Sequence, residues 1–91
     1  MRTLVLDCHE MNTREHLHAY LRKVLGLPPH YGDNLDALCD CLGEIGRRTE
    51  FVLAHPQQLD YPYGRAFLHA MHDICDGSAA LSLRVAGEEP Q

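Results

Sequence analysis

Three short runs of strand-forming apolar residues are set apart by long stretches with helical periodicity, and this alternation limits the folds open to the chain. Leu4, Val5 and Leu6 make the first run, Glu50-Phe51-Val52-Leu53-Ala54 the second, and residues 80–85 the third. Strands separated by helical crossovers pair in parallel, with right-handed connections and helices covering the sheet. The sequence therefore predicts a compact α/β domain with a three-stranded parallel sheet and about four helices. Ninety-one residues suit one domain with one modest core. That domain is predicted to span residues 1–91, with a short polar tail, 86–91, frayed at its end.

The helices can be placed by their caps and stripes. Asn12-Thr13-Arg14-Glu15 reads as a capping box, with Asn12 as N-cap and Glu15 three residues on. Leu17, Tyr20, Leu21, Val24 and Leu25 then follow on one helical face. Gly26 and Pro28-Pro29 stop this helix, because proline cannot continue one and constrains its predecessor. Tyr31-Gly32 forms a turn, and Asp33 is the predicted cap of a second helix with the stripe Leu35, Leu38, Leu42 and Ile45, ending near Gly43 or Gly46. His55-Pro56 opens a connector with short helical turns through Leu59. A further helix is predicted over 64–75, after Pro62, with Phe67, Leu68, Met71 and Ile74 inward.

Charge narrows the function. Thirteen Asp and Glu against eight Lys and Arg give a net charge of −5, which disfavours nucleic acid and anionic membrane and favours a basic partner. The N-terminal apolar run is too short for a signal peptide and is broken by Asp7, so a cytoplasmic location is expected. There Cys8, Cys39, Cys41 and Cys75 stay reduced and read as small apolar side chains.

The acids of the second helix are concentrated on one side. At about 100° per residue, Asp36, Asp40 and Glu44 fall at roughly 0°, 40° and 80°, while Leu35, Leu38, Cys41, Leu42 and Ile45 fall between roughly 140° and 260°. Asp33 adds an acid at the mouth of the helix. Like charges four apart cost ~0.2–0.5 kcal/mol per pair. Asp33 and Asp36 recover part of this from the positive end of the helix dipole, Asp40 little, and Glu44 sits near the wrong end. No Lys or Arg lies on this helix, the nearest being Arg47 and Arg48. By pattern alone the row is either a solvated face or a surface made for an external cluster of cations.

The order of residues goes further. Pro28-Pro29-His30-Tyr31-Gly32-Asp33-Asn34-Leu35-Asp36-Ala37-Leu38-Cys39-Asp40-Cys41-Leu42 closely resembles the barstar family, and a weaker resemblance covers the whole chain. The resemblance implies a non-enzymatic inhibitor that forms a one-to-one complex with a small basic bacterial ribonuclease and closes its active site. It implies that Asp40 takes the place of an RNA phosphate among the nuclease's cations, with Asp36 a flanking salt-bridge partner. Asn34, Gly32 and Tyr31 would form the loop surface, with His30, Cys39 and Glu44 beside them and Asp73 contributing from the C-terminal helix. Two positions depart from the family pattern: Cys39 stands for a tryptophan, and His30 for an aromatic contact.

Other readings use the same residues. The surface also suits an immunity or adaptor protein for another nuclease toxin or basic protein. Asp36 and Asp40 could serve as an acid–base pair, but that role needs a pocket that splits their pKa values. His69, His72 and Asp73 are a possible metal set without the sequence context of a zinc site, so no metal or cofactor is expected. Protonation of His30 on acidification would oppose a cationic partner. Affinity for the partner should therefore fall from pH 8 to pH 5, and His30→Gln should remove part of that fall in a calorimetric titration.

Overall fold

In a computed structural model of the chain, residues 2–29 and 31–86 are described. Three strands, β1 (Arg2–Asp7), β2 (Thr49–Ala54) and β3 (Leu81–Val85), form one parallel sheet in the order β1-β2-β3. Three α-helices accompany it: α1 (Arg14–Leu25), α2 (Leu35–Gly43) and α3 (Pro62–Asp76). Two short 3-10 turns, Cys8–Glu10 and Pro56–Leu59, take up the rest of the helical content; the second is the short helical connector expected through Leu59, and the α-helices number three where about four helices were expected.

The period-2 pattern sets which side of the sheet is inside. Leu4, Phe51 and Leu83 lie in register, as do Leu6, Leu53 and Val85. Their inward side chains, with Leu81, join Leu17, Leu21, Leu38, Leu42, Phe67 and Met71 in one core. The other face carries Thr3, Val5, Glu50, Ser82 and Arg84, and Val5 is 58% exposed. The helices therefore cover one side of the sheet, where crossovers had been expected to cover it generally. On the open side Arg84 reaches from β3 to Glu50 of β2 at 3.5 Å.

Helix starts differ from the sequence reading by one residue for α1 and α2 and by two for α3. Thr13, not Asn12, caps α1, its hydroxyl accepting from His16 N at 3.1 Å, while Asn12 Oδ1 meets the His16 ring at 3.0 Å. Both residues are good caps, and the choice falls to the one whose backbone is extended next to the first turn. Glu15 then lies one place early for the reciprocal half of a capping box. Pro62 is the first residue of α3 rather than its forerunner, as suits a residue with no N–H to place. Ala86, assigned to the tail, still donates to Leu53 O at 3.0 Å, and residues 87–91 lie outside the described residues.

The junction between the second 3-10 turn and α3 is tight. A Cβ on Gly64 would stand 2.4 Å from Leu59 O and 2.7 Å from the Tyr61 ring. Backbone cannot yield as a flexible side chain can, so Gly64→Ala should destabilise the fold by about 1–3 kcal/mol. A lowered urea midpoint checks this, and an unchanged midpoint would show that the junction gives way freely.

Candidate functional site

The loop before α2 is held from beneath. Tyr31 is only 6% exposed, and its hydroxyl lies 2.6 Å from Nδ1 of His18. His18, on α1 and 2% exposed, also has Nε2 2.6 Å from the hydroxyl of Tyr63 on α3. One imidazole thus joins α1, α3 and the loop, donating at one nitrogen and accepting at the other when neutral. Burial holds the His18 pKa below its ordinary value; nearby Asp33 raises it, and Arg14 and Arg22 lower it. Tyr31 is held well above the usual phenol range, first by burial and then by Asp33.

The loop then turns sharply into the helix. Asp33 sits in the left-handed region at φ 53°, a conformation that Asp tolerates better than most residues. Its carboxylate is bonded to Arg22 of α1, whose guanidinium lies 5.9 Å from the Tyr31 ring centre. Asp33 was expected to cap α2. Instead Asn34 does so, its Oδ1 accepting from Ala37 N at 2.8 Å while its Nδ2 donates to Gly32 O at 3.1 Å. The expected acid at the helix mouth is therefore matched by the chain's own arginine.

The remaining acids stand differently. Asp36 and Asp40 are exposed on α2, and neither forms an ion pair among the described residues. Leu38 and Leu42 of the same helix are 1% exposed, so one wall is buried while the other carries the carboxylates. Cys39 lies between the acids, half-buried, and its thiol is pushed up by burial and then by Asp36, Asp40 and Asp73. Asp73 of α3 lines a shallow groove with Leu42, Gly43 and Ile45, at the C-terminal end of α2, where α3 packs against α2. Asp73 also lies 3.5 Å from His69, one turn earlier.

Glu44 falls past the last turn of α2 as its C-cap and is exposed. His30 lies outside the described residues. Asp36, Asp40, Cys39 and Asp73 are thus brought together, with Gly32 and Asn34 on the adjoining exposed loop and Tyr31 beneath it. His69, His72 and Asp73 do not converge as a metal set among the described residues. Sequence reasoning passed over His18 and Tyr63, although His18 stands three residues before Leu21 on the apolar stripe of α1, where a polar residue needs a partner.

The architecture is that of a small parallel α/β protein presenting an acidic helix. A family model described as Barstar (barnase inhibitor) matches residues 1–87, and the chain belongs to the barstar family. A Bacillus subtilis (strain 168) protein named "Putative ribonuclease inhibitor YrdF" is 45% identical over 42 residues. That matched stretch is 46% of this chain and 46% of the relative, so the likeness spans about half of each.

The buried imidazole has a pH consequence. Its pKa in the folded chain lies below the reference value of 6.5, so the unfolded chain binds the extra proton first as pH falls. The fold should keep this contribution above about pH 6.5 and lose it progressively below. Thermal melts from pH 7.5 to 5 should show a shallower decline for His18→Gln than for the wild type; parallel declines would contradict the assignment.

Proposed function

We propose that this protein inhibits a small basic ribonuclease, forming a one-to-one complex in which the acidic face of α2 occupies the nuclease's active site. The observation that carries the reading is the state of Asp36 and Asp40: outward, on a helix whose opposite wall is buried, and unmatched by any cation among the described residues. Membership of the barstar family supports the same direction.

The chemistry follows from what such an enzyme must bind. A site that holds RNA phosphate is cationic, and a carboxylate fixed on a helix can accept the same charge-assisted hydrogen bonds. Asp40 fills the central place, Asp36 and Asp73 flank it, and Gly32, Asn34 and Cys39 complete the contact surface. Tyr31 acts from below by fixing the loop, and Glu44 lies at the margin. The surrounding negative field raises the encounter rate with a basic partner. The chain itself performs no chemistry in this scheme. Protection of cellular RNA requires action where that RNA is, in the cytoplasm. No helix among the described residues is long and apolar enough to cross a membrane.

Titration against RNA cleavage by a panel of small basic ribonucleases, barnase included, tests the proposal. Stoichiometric loss of cleavage by at least one of them is expected. Asp40→Ala should cost the most affinity, about 2–5 kcal/mol, a range whose measurements include complexes of this family. Asp36→Ala should follow, and added salt should weaken the wild type more than either variant. Melting temperatures should stay level or rise slightly, since like-charge repulsion on α2 falls. Cleavage that is unaffected across the panel, or an Asp40→Ala chain that binds as tightly as the wild type, would overturn the reading.

A further inference from the structure

A second cluster of chemistry-bearing side chains lies at the carboxyl ends of β1 and β2. Asp7 ends β1, His9 lies in the 3-10 turn that follows it, and His55 comes directly after β2. Their candidate donor atoms all lie within 4.8 Å of one another. Asp7 Oδ1 and His9 Nδ1 are 3.3 Å apart. A tetrahedral ion with bonds of ~2.0–2.1 Å holds its donors roughly 3.3 Å from each other, so these two already have the spacing of ligands on one ion. The His55 ring lies 4.1 Å from that of His9, centre to centre, and an exposed side chain can close the remaining gap by rotation.

The backbone under this cluster is well fixed. Asp7 pairs with Ala54 across the sheet, which brings His55 to the same corner. The Asp7 amide donates to the Tyr20 hydroxyl at 2.8 Å, and Asp7 Oδ1 accepts from His9 N at 3.0 Å, one bond on an oxygen that can also face an ion. The two 3-10 turns pack against each other. His55 is held in the left-handed region at φ 57° and ψ 55°, yet its side chain makes no capping hydrogen bond.

We propose that Asp7, His9 and His55 bind a divalent transition ion, Zn2+ in the first instance, through two neutral imidazoles and one carboxylate, with water completing the shell. Two nitrogen donors suit zinc and its neighbours and discriminate against magnesium and calcium. The ion clips the end of β1 to the end of β2 and stabilises the fold by binding it in preference to the unfolded chain. The site shares no residue with the acidic face of α2.

Calorimetric titration of the whole chain with zinc chloride at neutral pH, with NMR of the histidine ring nitrogens, tests this. One ion per chain is expected, with the His9 and His55 rings shifting and those of His69 and His72 unmoved. His9→Ala and His55→Ala should each weaken binding at least about tenfold, as a lost ligand should cost no less than a lost supporting contact. Zinc should raise the melting temperature of the wild type and leave the double variant unchanged, while His69→Ala behaves as wild type. No binding, binding retained in the double variant, or ring shifts confined to His69 and His72 would overturn the assignment. Should the double variant fail to fold, the ring shifts of the wild type decide the question alone.

Discussion

The hydrogen bonds of His18 hold together the parts from which this protein's surface is made. An imidazole with almost no exposure must satisfy both nitrogens inside the protein, and it does so with the hydroxyls of Tyr31 and Tyr63. A buried polar group is costly only when unpaired, so the same groups that would weaken an apolar core here fix three segments against one another. Tyr31 then sets the loop, Asp33 turns it with help from Arg22, and Asn34 starts α2. The outward bearing of Asp36 and Asp40 is the last step of that chain.

Electrostatics divides these acids by role. Asp33 is answered by Arg22 and is part of the scaffold. Asp36 and Asp40 have no such partner among the described residues, and Asp73 adds its charge from the neighbouring helix. Gathering carboxylates on one wall costs a few tenths of a kcal/mol per close helical pair in the free chain, which the buried wall of α2 easily carries. A cationic partner would relieve that repulsion, so the proposed attraction for a basic protein and the strain of the free surface would have the same origin.

Much of the architecture was legible in the sequence. The parallel sheet followed from strand runs separated by helical spacing, and the stripe of α2 predicted both its buried and its acidic wall. Caps were harder: Asn12 against Thr13, and Asp33 against Asn34, are pairs of equally capable residues whose backbone angles decide between them. The open face of the sheet was not foreseen, because a buried strand run does not say how many of its sides are covered. His18 was missed because its partners lie far along the chain, on a loop and on another helix. The corner of Asp7, His9 and His55 was hidden for the same reason, since only strand pairing brings the end of β2 next to that of β1. The barstar-family motif around α2 carried information that periodicity could not, because it specifies order as well as spacing.

Cys39 has a chemical consequence of its own. A thiol reacts with peroxide or with a disulfide as its thiolate, and burial first, then the field of Asp36, Asp40 and Asp73, disfavours that form. A raised pKa makes Cys39 less prone than an exposed thiol with an ordinary pKa to form a sulfenic acid or a mixed disulfide.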